Sequence, residues 1–276
     1  MRVIYVFLLS FILSITVFNT NPYAQTSTYY PEIHCKHFFY GYPVGTPATN
    51  DLIIRDIYVL SSNDEIKLAD WVAYRLDKET ITGNVKTSRV WKADPWLEEN
   101  ETLEPDDYKN SNRTLKVDKG HQAPLASFKG TKYWADTNYL SNITPQKSDL
   151  NQGPWQVLEG RERKLAEAIN IVYVITGPLY EKEMPSLPNA DEPHKVPSGY
   201  WKIVIIQTCK TTDCIKAASF IFDQETSRRD KVIDHLSTIN EIEKRSGLDF
   251  LRELPDDIEE KIESNKYQEW ATENFN

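Results

Sequence analysis

Three apolar runs, Ile169–Ile175, Tyr200–Ile206 and Ala217–Phe222, constrain this chain more than any other feature. Each is short, rich in β-branched and aromatic residues, and lacks the regular polar alternation of a half-solvated strand. Each therefore predicts a strongly apolar strand. A sheet of such strands needs helices to cover it. Leu150, Trp155, Leu158, Leu165 and Ala168 fall near one face of a long helix predicted over Ser148–Ala168, and two further helices are predicted around Asp234–Arg245 and Pro255–Asn265. Strands are also expected at Asp51–Leu60 and Leu68–Leu76, with Trp71 and Tyr74 in the core, and short ones at Leu115–Val117 and Tyr139–Ile143. Between them Asp94–Lys109, acidic and carrying Pro95 and Pro105, reads as a surface loop. Strands and helices segregate rather than alternate strictly, which gives an α+β fold with a central, largely antiparallel sheet flanked by helices.

At the N-terminus Arg2 precedes an apolar stretch from Val3 to Phe18 and then a polar break with Pro22. This pattern predicts a signal peptide over residues 1–24 and a secreted or periplasmic protein, with no stable membrane association after cleavage. An uncleaved anchor is the alternative, at the lower length limit of a span. Residues 25–50 read as an irregular N-terminal segment. Without a composition break beyond it, residues 51–276 read as one domain. Export makes the cysteines informative. Cys209 and Cys214 lie between two predicted strands, so they are expected to form a disulfide at the mouth of a hairpin, leaving Cys35 free or paired between chains. No Cys/His cluster has zinc-ligand spacing.

The chemistry concentrates between residues 118 and 163. Asp118-Lys119-Gly120-His121 presents an imidazole beside a carboxylate and a cation, where a neutral ring can take a proton from water. A histidine in a turn is more often merely exposed or hydrogen-bonded, so the tetrapeptide alone decides little. Asn151 offers a neutral amide oxygen of the kind Mg²⁺ accepts while keeping most of its waters. Glu159 and Arg163 lie four residues apart, as a plain surface pair would. On a continuous helix Asn151 and Glu159 are separated by a rise of about 12 Å, too far for one ion, unless Gly153-Pro154 bends the helix. Arg89 is a further candidate for holding phosphate. Its alternative is to be one of 32 cations in a chain of formal charge −9, which becomes −10 once Arg2 is removed.

Taken in order, these segments resemble a family. Residues 118–127, 139–153, Trp155 with Leu158-Glu159, Glu162–Leu165, Thr176–Glu181, Pro197–Lys202, Phe222–Gln224, Glu241–Leu248 and Leu254–Asp257 look like the DNA/RNA non-specific endonucleases. The resemblance covers roughly residues 50 to 260. It implies a ββα-metal (His-Me finger) site on a six-stranded central sheet, with His121 as general base and Asn151 as the direct protein ligand of Mg²⁺, Mn²⁺ or another divalent cation. It also implies that Glu159 holds metal-bound water, and that Arg89, Lys119, Gln146 and Arg163 contact substrate. One position departs from the family's usual Asp-Arg-Gly-His: Lys119 keeps the charge but loses the planar fork. The implied activity is hydrolysis of DNA and RNA through the phosphate backbone, leaving 5′-phosphate ends, by a protein for which a homodimer is compatible with the family.

An acidic chain is an unusual nucleic-acid ligand. Residues 251–276 hold eight acids and three bases, however, so half of the excess charge lies away from Arg89, Lys92, Lys116, Lys119, Lys129, Lys147, Arg161, Arg163 and Lys164. Two rival functions stand beside the nuclease: a catalytically impaired nucleic-acid-binding module of the same fold, and a secreted phosphodiesterase acting on small nucleotides.

Overall fold

The computed structural model describes residues 30–85 and 88–276; the predicted signal peptide lies outside them. Among the described residues nine strands form two sheets: β1 (Asp51–Ile54), β2 (Val59–Asn63), β3 (Leu68–Leu76), β4 (Val117–His121), β5 (Ile143–Lys147), β6 (Val172–Leu179), β7 (Gly199–Gln207), β8 (Ile215–Asp223) and β9 (Leu236–Ser237). The larger sheet has the order β1-β2-β3-β6-β7-β8-β9, and every pairing in it is antiparallel. It has seven strands rather than the expected six, the seventh being the two-residue β9. The helices are α1 (Lys78–Ile81), α2 (Ser111–Leu115), α3 (Ser148–Leu150), α4 (Gln156–Ile169), α5 (Ile239–Ser246), α6 (Asp256–Glu263) and α7 (Gln268–Phe275).

The continuous apolar runs have a structural reason. Eight of the nine residues of β7 are buried, because a hydrophobic cluster lies against each face of the sheet. One cluster includes Trp155, Leu158 and Leu165 from the α4 side with Phe275 of α7; the other includes Ile239, Ile242 and Ile262 of α5 and α6. Of the 25–50 segment, residues 32–50 are irregular but packed on the domain. Phe39 and Val44 are buried, and Val44 bridges Asp249.

Several boundaries differ from the sequence reading. The single strand expected over Asp51–Leu60 is a hairpin, closed where the Arg55 amide donates to the Tyr58 carbonyl at 2.9 Å. The short strand expected at Leu115–Val117 begins at Val117, because α2 occupies the preceding residues and Lys116 turns the chain with φ 59°. The partner strand begins at Ile143 rather than Tyr139. Before it, the Asn142 side chain accepts from the Ala123 amide and donates to the carbonyls of Ala123 and Thr137, so local bonds replace a ladder. α7, with no strong period of its own, was not expected. Cys209 and Cys214 form the expected disulfide across the β7–β8 connection, and Cys35 is free.

β4 and β5 form a two-stranded antiparallel ribbon, His121 opposite Ile143 and Asp118 opposite Gln146. The chain then enters α3 and α4, but not as one straight helix. Asn151–Trp155 is a π-helical turn, and Gly153 adopts φ −113°, ψ −118°. Pro154 supplies no amide hydrogen for the regular ladder. A side chain at Gly153 has no room either, since a Cβ would lie 2.7 Å from the Arg228 backbone. This kink shapes the site.

Candidate active site

A cleft of about 220 Å³ opens between the ribbon and the kinked helix, lined by Arg89, Lys119, His121, Asn151, Gln152 and Glu159 among others. β4 supplies Lys119 and His121 from its C-terminal end, the π turn supplies Asn151, and the first turn of α4 supplies Glu159. Asn151 and Glu159, on either side of the kink, thus line one cleft.

His121 is set by one partner and one wall. Its Nε2 lies 3.2 Å from the Asn138 amide oxygen. That oxygen only accepts, so Nε2 carries the proton and Nδ1 keeps its lone pair. Its ring packs against Trp91 with centroids 5.2 Å apart. Burial pushes its pKa down to about 4, with Arg89 acting the same way and the Asn138 bond opposing. The imidazole is therefore neutral at physiological pH, the state a base requires.

Asn151 is oriented by Asp118. The Asn151 amide nitrogen donates to one Asp118 carboxylate oxygen at 2.9 Å, leaving the Asn151 oxygen as the atom with donor capacity for a cation. Asp118 also accepts from Asn112, Ser148 and Gln152 at 2.7–2.8 Å. Burial would raise its pKa, but these four bonds hold it below the ordinary carboxylate value. The anchor stays charged and fixed.

Glu159 stands in front of a buried cluster. One turn further along α4, Glu162 pairs with Lys202 at 3.1 Å, both fully buried, and accepts from the Tyr74 hydroxyl at 2.8 Å. The Lys202 ammonium lies 4.3 Å from the centre of the Trp155 ring. Burial lifts the Glu159 pKa to about 7, Lys202 opposing and Glu162 adding to it. A cation arriving beside Glu159 would favour its ionised form.

The remaining expected residues are distributed unevenly. Arg89 and Lys119 reach the cleft, and burial lowers the Lys119 pKa. Arg163 is turned toward the Ser127 hydroxyl at 3.3 Å and is not among the lining residues. Gln146 is fully buried, packed against Gly120, where a Cβ would lie 2.6 Å from its side-chain oxygen. Three groups that shape the site were not singled out in the sequence. Asn138 lies 17 positions from His121, and Trp91 and Lys202 are further still from the residues they face. Their only signal in the sequence is residue type: an amide, an aromatic ring, and a lysine within an apolar run. The two carboxylate clusters able to hold a metal among the described residues, Asp51/Asp64/Glu101 and Asp107/Asp191/Glu192, include no cleft residue.

A neutral imidazole, an oriented amide oxygen, a carboxylate and two cations lie together in one cleft of a ββα framework, an arrangement with the chemistry that metal-assisted hydrolysis of phosphate esters requires. The family model for DNA/RNA non-specific endonucleases matches residues 38–257, and the chain belongs to that family. It is 46% identical over 226 residues to a nuclease of Serratia marcescens, covering 81% of this chain and 83% of that protein. It is 29% identical over 224 residues to mitochondrial endonuclease G of Bos taurus, covering 75% and 71%. The fold is similar to that in a crystal structure of the EndoG/EndoGI complex, with TM-score 0.65, 23% identity, and 78% of this chain and 90% of that chain covered. The chain is thus a divalent-metal-dependent endonuclease by family. No helix among the described residues is long and apolar enough to cross a membrane.

Proposed function

We propose that this protein is a secreted, Mg²⁺-dependent nuclease that hydrolyses DNA and RNA with little sequence preference, using His121 as general base. The observation that carries this reading is the convergence of His121, Asn151 and Glu159 with Arg89 and Lys119 in one cleft. His121, held through Nε2 on Asn138, takes a proton from water at Nδ1 and so generates the nucleophile. Arg89 and Lys119 draw the phosphodiester in by its charge and stabilise the extra negative charge of the transition state. Asn151 would hold Mg²⁺ as its one direct protein ligand, with Glu159 orienting a water beside it, and the ion would supply charge neutralisation at the scissile phosphate and stabilisation of the leaving oxygen. Arg163 reinforces the cationic side of the cleft and Gln146 supports the ribbon from beneath Gly120. Groups that address phosphate and not base edges favour broad specificity, with 5′-phosphate products.

The test is digestion of supercoiled plasmid and of RNA by purified protein with millimolar Mg²⁺ or with EDTA, alongside His121→Ala. Both substrates should be cut only with metal, with turnover about 10²-fold or more lower in the variant. Cleavage insensitive to EDTA or to loss of His121 would overturn the proposal. Preferential turnover of small phosphodiesters over polymers would favour the small-nucleotide reading instead.

A further inference from the structure

Trp91 faces three residues of the proposed machinery at once: His121, Arg89 and Lys119. Its indole centre lies 5.2 Å from that of His121, with the rings inclined at 38°. The Arg89 guanidinium carbon lies 5.3 Å from it, and the Lys119 ammonium 5.7 Å. Lys119 is also 5.0 Å from the Tyr108 ring, so two aromatic rings bracket the ammonium.

The indole itself is anchored. It packs on a small hydrophobic cluster that includes Tyr108, Leu140 and Ile143. Next to it, the Lys92 amide donates to the Asn138 carbonyl at 3.2 Å, and the Leu140 amide donates to the Lys92 carbonyl at 2.9 Å. Asn138 therefore fixes the segment that carries Trp91 through its backbone and His121 through its side chain. The base and the wall behind it share one support.

We propose that Trp91 is a positioning residue: its π face is the common surface against which His121 is packed and on which Arg89 and Lys119 are held toward the phosphate. This rests on the assignment of His121, Arg89 and Lys119 to the nuclease site. An aromatic face attracts a cation electrostatically, and more strongly where water is partly excluded. The attraction substitutes for the rigid fork that Lys119 lacks, because a flexible ammonium stem bracketed by two rings has fewer conformations to lose when phosphate binds.

The experiment compares Trp91→Leu, which keeps apolar bulk without a π face, with Trp91→Phe, which keeps the face. On plasmid at low salt, Leu should lower kcat/KM by about tenfold and Phe by less than about threefold, with thermal midpoints unchanged. In an Arg89→Ala/Lys119→Ala background the Leu substitution should cost less than about threefold, because the cations it positions are gone. A second readout needs no activity. The ring protons of His121, assigned by their loss in His121→Gln, should carry an upfield NMR displacement from the indole that Leu abolishes and Phe retains in part. Equal kcat/KM for Leu, Phe and wild type, or an undiminished Leu effect in the double-cation background, would overturn the proposal, as would an unchanged His121 spectrum. A wild-type protein that cuts no nucleic acid would overturn the nuclease reading alone, and the spectra would still decide the wall.

Discussion

Replacing Lys202 by Met tests whether the charge buried beneath the cleft is a true pair. Lys202 and Glu162 are fully buried, 3.1 Å apart, and the Tyr74 hydroxyl completes the cluster. Methionine nearly matches the lysine stem, so little volume is lost; what remains is a buried carboxylate with one hydroxyl donor. Removing one partner of such a pair costs about 3–5 kcal/mol, since the survivor keeps its desolvation cost and loses its counter-charge. In a chain of this size each kcal/mol moves the thermal midpoint by about 2–4 °C, which places Lys202→Met roughly 10 °C below wild type. Glu162→Gln should cost a comparable amount by stranding the ammonium, while Lys202→Met/Glu162→Gln, free of both charges, should recover at least about 2 kcal/mol of the summed losses. Urea unfolding of the four proteins measures this cycle. Single variants that each lose less than about 1 kcal/mol, or losses that simply add, would refute the reasoning.

Lys119→Arg should hold or raise catalytic efficiency, while Lys119→Ala should lose about 1–3 kcal/mol of transition-state stabilisation, less so at high salt; equal kcat/KM for all three at both salt levels would identify a solvated lysine. At saturating Mg²⁺, where the cation keeps Glu159 ionised, the acid limb of kcat/KM should fall near pH 4, not 6.5, because burial and then Arg89 depress His121, and Arg89→Gln should move that limb upward; a wild-type limb at 6.5 under those conditions would contradict it. Glu263 is buried among Glu243, Glu259, Asp249 and Glu260, and burial followed by those charges lifts its pKa to about 9. Raised above its unfolded value, this acid weakens the fold as pH climbs from about 4.5 through 9. Glu263→Gln should therefore stabilise by about 1–3 kcal/mol at pH 9 and little at pH 4.5, and a gain independent of pH in thermal melts would reject that assignment.

The sheet was legible because its central strands are buried on both faces, and continuous apolar runs have few other uses. Lys202 shows where such reading stops. A lysine within the run Tyr200–Ile206 looks like a solvent-facing residue, and only the packing of α4 against β7 reveals that Glu162 meets it. His121 and Asn151 were legible from residue type and order, whereas their proximity to Glu159 was not. It depends on a π turn whose necessity lies in the Arg228 backbone, 75 residues beyond Gly153. The same holds for Asn138 and Trp91, which meet His121 from segments remote in sequence and not at a spacing that marks them. Gln146 came from resemblance alone, and its burial beneath Gly120 gives it a supporting place.

The central claim is that Asn151 holds the metal for a reaction whose base is His121. Titrating Mg²⁺ from micromolar to tens of millimolar against plasmid cleavage, for wild type and for Asn151→Ala of matched thermal stability, tests it most directly. A saturating activation curve for wild type and no activity at millimolar Mg²⁺ for the variant is the expected result, since the remaining ligands would be water. Superimposable activation curves for the two proteins would contradict it.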